Sequence, residues 1–180
     1  LTAASTWNPS LLYDMGSAIG LEAAAQGSNI GYGPVLDVAR EPRWSRMEET
    51  FGEDPWLTSV LGTAVVRGMQ GDNSADKQHV ICTLKHLAAY GVPEGGHNGG
   101  PVYAGERLLR SQLLLPFEKA VKAGAGTVMT SYNSIDGIPC TSNRHLLTDM
   151  LRGEWGFKGF VYSDLLSVDG IAGMGAAANN

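Results

Sequence analysis

Four short apolar runs of this chain each end in side chains that are ionisable or form hydrogen bonds. In chain order, the residues at these ends are Asp37, Arg40, Glu41, Arg43 and Arg46; Lys85 and His86; Tyr132 and Asn133; and Asp164. A carboxylate such as Asp164 can act as a nucleophile, and a neighbouring cation favours its charged form. Charged side chains used in pairs bind adjacent hydroxyl groups well. The set therefore predicts an enzyme that acts on a polar substrate.

The four apolar runs have the composition of buried parallel strands, because they are short, β-branched and nearly continuous rather than alternating. The predicted strands are residues 33–38 (GPVLDV), 79–84 (HVICTL), 126–131 (GTVMTS) and 159–163 (GFVYS). Helical patterns, with apolar residues three and four positions apart, lie before and between them. The predicted helices are residues 9–26, 54–69, 105–123 and 143–155.

The regular alternation of helices and strands predicts an α/β fold with parallel βα units. A doubly wound dinucleotide fold would carry GxGxxG after a strand, and a phosphate-binding loop would carry GxxxxGK[ST]; neither motif is present. This favours a (β/α)8 TIM-type barrel. A complete barrel needs about 250 residues, and this chain has 180. We therefore expect a partial barrel of about four βα units, with the polar strand ends converging on one mouth.

Each polar strand end also has a plain structural interpretation when it is taken alone. Asp164 could cap a helix, Lys85 and His86 could be a surface pair, and Tyr132 with Asn133 could belong to a turn. The arginines after the first strand could pair at the surface with nearby acidic residues. Those residues are Glu48, Glu49, Glu53 and Asp54. The functional interpretation rests on all four ends being polar together.

The composition narrows the class of ligand. The chain is 43% hydrophobic and 17% charged, and its formal net charge is −5. It contains no block of Lys and Arg, which argues against nucleic acid or an anionic membrane surface as a partner.

Cys82 lies in an apolar run and is predicted to be a buried small hydrophobe. The chain does not begin with Met, so we expect its natural N-terminus upstream and leave its compartment open between secreted, periplasmic and cytoplasmic.

Four ordered segments of this chain resemble the signatures of glycoside hydrolase family 3, the family of β-glucosidases and β-xylosidases. They are GPVLDVAREPRWSRMEETFGEDP, CTLKHLAAYG, TVMTSYNSIDGIPCTSN and LRGEWGFKGFVYSDLLSV. The resemblance runs from about residue 7 to about residue 170. It implies that residues 1–180 are part of an N-terminal catalytic barrel domain, with early barrel strands and a C-terminal domain lying outside the chain.

The resemblance also implies roles for individual residues. Asp164 falls on the catalytic nucleophile, and Arg46, Lys85 and His86 fall on residues that hydrogen-bond the non-reducing terminal sugar. The two remaining matches are Tyr132, on a subsite residue beside the nucleophile, and Met129, near the same pocket. The family needs no metal or organic cofactor, and its general acid/base usually comes from the C-terminal domain. The carbohydrate substrate and that domain are therefore the expected partners.

The implied activity is exo-acting, retaining hydrolysis that releases a non-reducing terminal β-D-glucose from β-glucosides or oligosaccharides. The alternatives are a β-xylosidase of the same family and a barrel fragment that binds sugar without cleaving it. The chain departs from the family where Leu165 follows the nucleophile, a position at which Trp is common, and where Ser45 replaces a common Gly. The loop around His97 differs from the Pro-Gly-His loop that some members use as acid/base, so His97 is given no role.

Overall fold

Four parallel strands form the central sheet of the chain, whose structure, a computed structural model, describes residues 1–71 and 78–173. The strands are β1 (Ile30–Gly31), β2 (Ile81–Leu87), β3 (Thr127–Thr130) and β6 (Phe160–Tyr162), in the spatial order β1-β2-β3-β6. Each neighbouring pair is parallel. A separate antiparallel hairpin consists of β4 (Ser134–Ile135) and β5 (Ile138–Pro139). The parallel order confirms the predicted α/β alternation.

Helices precede and connect the strands. The α-helices are α1 (Pro9–Ala25), α2 (Pro55–Gln70), α3 (Glu106–Leu108), α4 (Leu115–Lys122) and α5 (Ser167–Gly173), and Leu109–Leu113 and His145–Glu154 are π-helical. Short 3-10 turns occur at Ala4–Thr6, Met47–Glu49, Glu94–Gly96 and Cys140–Ser142. Both long helices begin with proline after a capping side chain, Asn8 for α1 and Asp54 for α2. No helix in either described range is long and apolar enough to cross a membrane.

The core lies between the sheet and the helices that cover it. The buried apolar residues of α2, β2 and α4 belong to one contiguous cluster, together with Val128 of β3. Helices α1 and α2 approach closely because glycines face each other; a Cβ on Gly68 would lie 2.2 Å from the carbonyl oxygen of Tyr13. Cys82 is fully buried as predicted, and burial raises the pKa of its thiol to about 12. This packing fixes the carboxyl ends of β2, β3 and β6 relative to one another.

The first predicted strand, residues 33–38, is not a continuous strand. The segment runs beside β2, with the amides of Thr83 and Lys85 donating to the carbonyls of Gly33 and Pro34. Val35 forms only an isolated bridge with Lys85. Proline has no N–H to return a hydrogen bond, so the ladder is interrupted there, and the regular pairing is confined to β1.

Two other boundaries differ from the prediction. Strand β2 extends to Leu87, so Lys85 and His86 lie within the strand rather than beyond its end. The predicted helix over residues 105–123 is broken by the π-helical turn Leu109–Leu113, where the amide of Leu114 donates to the carbonyl of Leu109. Pro116 lies just after this turn and cannot donate to a preceding carbonyl, which ends a regular α-helical ladder.

Candidate active site

The polar residues at the strand ends form one connected cluster. Asp164 follows β6, His86 lies on β2, Tyr132 follows β3, and Arg46 lies in the loop before α2. The hydroxyl of Tyr132 reaches Asp164 at 3.0 Å, and Nε2 of His86 lies 3.6 Å from Asp164 and 3.2 Å from Nη2 of Arg46. The sequence-based expectation that these four residues converge on one mouth therefore agrees with the geometry.

The two oxygens of the Asp164 carboxylate have different surroundings. Oδ1 accepts hydrogen bonds from the Tyr132 hydroxyl at 3.0 Å and from the amide of Leu165 at 2.7 Å. Oδ2 lies 3.6 Å from His86 Nε2, which is too far for a hydrogen bond. The side chain is 15% exposed. One oxygen is thus held by two donors, while the other accepts no hydrogen bond among the described residues.

His86 is positioned by a buried carboxylate. The His86 ring and Asp37 are each about 1% exposed. Asp37 Oδ2 accepts from the backbone amide of His86 at 3.1 Å and contacts its Nδ1 at 2.8 Å. The ring is therefore anchored on its Nδ1 side, and its Nε2 side faces Arg46 and Asp164. Asp37 was recognised from the sequence as a polar residue at a strand end, but this role was not predicted.

Arg46 is held rigidly by two partners that the sequence did not assign to the site. Its guanidinium pairs with both carboxylate oxygens of Glu49, at 2.7 and 2.9 Å, and lies 3.4 Å from the Tyr90 hydroxyl. The hydrogen bonds from Arg46 lower the pKa of Glu49, and the charge of Lys85 adds to this effect. Glu49 was considered only as a surface partner, and no signal marked Tyr90, which lies beyond β2.

Lys85 and Met129 take different places in this arrangement. Lys85 is partly buried on β2 beside His86, and its charge contributes to the lowered pKa of Glu49. Met129 is buried on β3 and pairs in register with Tyr162. It lies on the amino-terminal side of Tyr132, and the residue is 7% exposed.

An aromatic wall lies beside the carboxylate. The ring of Tyr90 contacts those of His86 and Tyr132, at centroid distances of 5.0 and 6.0 Å. Tyr90 and Tyr132 also line a cavity of about 300 Å³ together with Asn98, Gly99, Leu166, Ser167 and Gly170. Burial and the hydrogen bond to Asp164 raise the pKa of Tyr132 to about 12. Its phenol therefore remains a proton donor to Asp164 at any ordinary pH.

Further polar side chains of the described residues form contacts away from this cluster or lie at the surface. Glu106 pairs with Arg110 and His145 on the exposed surface, and His97 is exposed in the turn after Glu94–Gly96. Within residues 1–71 and 78–173, no group of three or more His, Cys, Asp or Glu side chains is arranged to bind a metal ion.

Comparison with known proteins decides the family. The model of the glycosyl hydrolase family 3 N-terminal domain matches residues 1–180. The chain belongs to this family. A periplasmic β-glucosidase of Salmonella typhimurium is 41% identical over 99% of the chain and 23% of that protein. A β-xylosidase of Formosa agariphila is 45% identical over 100% of the chain and 25% of that protein.

Solved structures agree with this membership. A β-glucosidase from Listeria innocua, determined in complex with glucose, superposes with a TM-score of 0.95 at 39% identity, over 98% of this chain and 25% of that one. The predicted partial TIM-type barrel of the family is thereby confirmed. The family 3 chain spans about a quarter of the length of the relatives it matches.

Proposed function

We propose that this chain is the part of a retaining glycoside hydrolase that carries the nucleophile and the binding site for the terminal sugar. The reaction is exo-acting release of a non-reducing terminal β-D-glucose from β-glucosides or oligosaccharides. One observation carries the proposal: Asp164 has one carboxylate oxygen held by two donors, and the other accepts no hydrogen bond from the part of the chain that the structure describes. A carboxylate arranged in this way can form a covalent bond through one oxygen without losing its position.

The cluster supports a division of roles among its members. Arg46, Lys85 and His86 hydrogen-bond the hydroxyl groups of the terminal sugar, and Met129 packs against its apolar side. Tyr132 stabilises the charge on the Asp164 carboxylate through Oδ1. A planar guanidinium fixed by Glu49 loses little freedom when it binds a hydroxyl pair, which makes Arg46 a rigid part of the site.

The chemistry follows from these roles. Asp164 Oδ2 attacks the anomeric carbon, the bond to the leaving oxygen breaks, and an acid protonates that oxygen. The glycosyl-enzyme is then hydrolysed by water, with the same residue acting as base. In retaining enzymes the two carboxyl groups lie about 5–5.5 Å apart. We infer that a C-terminal domain of the full-length protein supplies the acid/base, and that residues 1–180 form part of its N-terminal barrel. No metal or organic cofactor takes part.

A β-xylosidase is the second candidate, since the 45% identical relative from Formosa agariphila carries that name. Glucosides and xylosides differ by one hydroxymethyl group, and a pocket contact of that size is worth only about 1–3 kcal/mol. The ratio of kcat/KM for an aryl β-glucoside and the matching β-xyloside, measured on the full-length protein, separates the two activities. We expect the glucoside to be preferred by about tenfold or more.

The proposed nucleophile is tested by covalent trapping. A 2-deoxy-2-fluoro glucoside with a good leaving group needs no acid, so it should label the full-length protein on a peptide that contains Asp164. The Asp164→Asn variant should lose labelling and turnover, while Asp149→Asn, which alters an exposed carboxylate, should keep both. Near-normal hydrolysis by Asp164→Asn would refute the assignment. Reversible binding of glucose without any label would favour a sugar-binding barrel instead.

A further inference from the structure

Asp37 is a buried carboxylate that no step of the proposed reaction uses. It lies too deep to touch a sugar, since the residue is 1% exposed. Its Oδ2 receives both the backbone amide and the ring Nδ1 of His86, whereas its Oδ1 is buried and has no hydrogen-bond partner among the described residues. Leaving a buried carboxylate oxygen unpaired is costly. Asp37 is buried despite this free-energy cost, which makes it a candidate for a functional role.

The contacts of His86 define which ring nitrogen carries the proton. Asp37 Oδ2 can only accept, so Nδ1 at 2.8 Å must be the donor. On the other side, Nη2 of Arg46 can only donate, and it lies 3.2 Å from Nε2. Asp164 Oδ2, which would require a proton on Nε2, is farther away at 3.6 Å. The closer contact fits a neutral ring with its proton on Nδ1 and a lone pair on Nε2.

We propose that Asp37 is a positioning residue that holds His86 in the Nδ1–H tautomer, so that Nε2 offers a lone pair to Arg46 and withholds a proton from Asp164. The tautomer of a histidine is set by the hydrogen bond made by its other nitrogen. Without Asp37, the His86 ring could carry its proton on Nε2. That proton would face the N–H donor of Arg46, so the ring would turn its Nε2–H toward Oδ2 of Asp164. The kinetic consequence rests on the proposed function; the tautomer itself does not.

Two substitutions separate this role from its alternatives. In Asp37→Asn, the two N–H groups of His86 keep an amide oxygen at the position of Oδ2, so the tautomer is retained although the charge is lost. In Asp37→Ala, the oxygen that accepts both N–H groups of His86 is lost, and the ring is free to carry its proton on Nε2. A role that depends on charge predicts equal damage from both variants. A role in folding alone predicts reduced stability and normal kinetics per active site.

The test uses the full-length protein, with kcat/KM for a dinitrophenyl β-glucoside expressed per site labelled by the 2-fluoro glucoside. We expect Asp37→Asn to remain within about threefold of wild type and Asp37→Ala to fall by about 10- to 100-fold. As a control, Asp54→Ala removes a carboxylate that caps α2 by accepting the Leu57 amide. It should leave kcat/KM per labelled site unchanged.

A second readout does not depend on catalysis. Nitrogen-15 spectra of ring-labelled histidine, assigned with a His86→Asn variant, should show an unprotonated Nε2 in wild type and in Asp37→Asn. They should show a protonated Nε2 in Asp37→Ala if that variant folds. The proposal is overturned by a protonated Nε2 in wild type, by normal kcat/KM in Asp37→Ala, or by equal losses in the two variants. A wild-type protein that neither hydrolyses nor labels would instead defeat the proposed function, and the spectra would still test the tautomer.

Discussion

Replacing Tyr132 with Phe removes one of the two donors to Asp164 Oδ1. The amide of Leu165, at 2.7 Å, still donates to the same oxygen. In the proposed mechanism, the phenol stabilises Asp164 most when the carboxylate carries its full charge, in the free enzyme, and least when it is an ester in the glycosyl-enzyme. In the second step the carboxylate leaves and regains its charge. We therefore expect Tyr132→Phe to slow deglycosylation more than glycosylation.

The magnitude follows from the hydrogen bond that is lost. A hydrogen bond to a charged group contributes about 1.5–3 kcal/mol. If about half of the charge has returned to the carboxylate in the transition state of the second step, about 0.7–1.5 kcal/mol of stabilisation is lost, which lowers the rate by about 3- to 12-fold. Because the pKa of Tyr132 is raised to about 12, the wild-type phenol keeps its proton. The ratio of the wild-type to the Tyr132→Phe deglycosylation rate should therefore not change between acidic and neutral pH.

The assay is stopped-flow release of dinitrophenol from the activated glucoside. Tyr132→Phe should show a burst equal to the concentration of active sites, a lower steady-state kcat and a lower KM, because the glycosyl-enzyme accumulates. The matched control is Tyr103→Phe, a phenol that is 68% exposed, and it should behave as wild type. A fall in kcat/KM with kcat unchanged and no burst would contradict the assignment of Tyr132 to the charge on Asp164.

Three further predictions concern the groups around Asp164. Arg46→Lys lacks the planar fork that pairs with Glu49, so kcat/KM for an aryl glucoside should fall by about 10- to 100-fold; Arg43→Lys, at an exposed position, should not change it. Arg46 lowers the pKa of Glu49 below 4.5, so the stability this pair contributes is present above pH 4.5 and is lost as the pH falls through the lowered pKa. Denaturant titrations at several pH values should show the advantage of wild type over Glu49→Gln shrinking on acidification, and an advantage that grows instead would reject the pairing. Cys82 and Cys140 are buried free thiols whose pKa values are raised by burial, so an aromatic disulfide reagent should modify them only after unfolding, which absorbance detects.

The order of elements and the convergence of the strand ends were predictable because both follow from local patterns. Apolar runs predicted the strands, and apolar residues three to four positions apart predicted the helices, to within a few residues. The exception at residues 33–38 arose because Pro34 interrupts the ladder with β2, and strand composition does not report which amides find partners. The hairpin β4–β5 was also missed, although Asp136 and Gly137, both with positive φ, form a turn typical of such hairpins.

The partners of the site residues were harder to predict than the residues themselves. Asp37 and His86 are far apart in sequence, and only the register between the 33–38 segment and β2 brings them to 2.8 Å. Tyr90 carries no local pattern that distinguishes it from a core aromatic residue. The pairing of Arg46 with Glu49 was foreseen as a surface ion pair, yet it fixes a guanidinium inside the site. Sequence spacing predicts which groups lie near the mouth, whereas packing decides which of them are already paired.

Pairing also supports the proposal that Asp164 is the attacking carboxylate. Both oxygens of Glu49 are paired with Arg46, and the free oxygen of Asp37 is fully buried beside His86. Among these three, Asp164 is the one whose side chain is partly exposed and has an oxygen without a hydrogen bond among the described residues. With the His86 ring neutral, as proposed above, the formal charges of Asp37, Glu49 and Asp164 exceed those of Arg46 and Lys85 by one negative charge. The transition state of glycoside hydrolysis develops positive charge on the sugar. In the proposed reaction, a fixed excess of negative charge would stabilise that state more than the neutral substrate, so the pairing pattern that leaves Asp164 Oδ2 free would also lower the barrier.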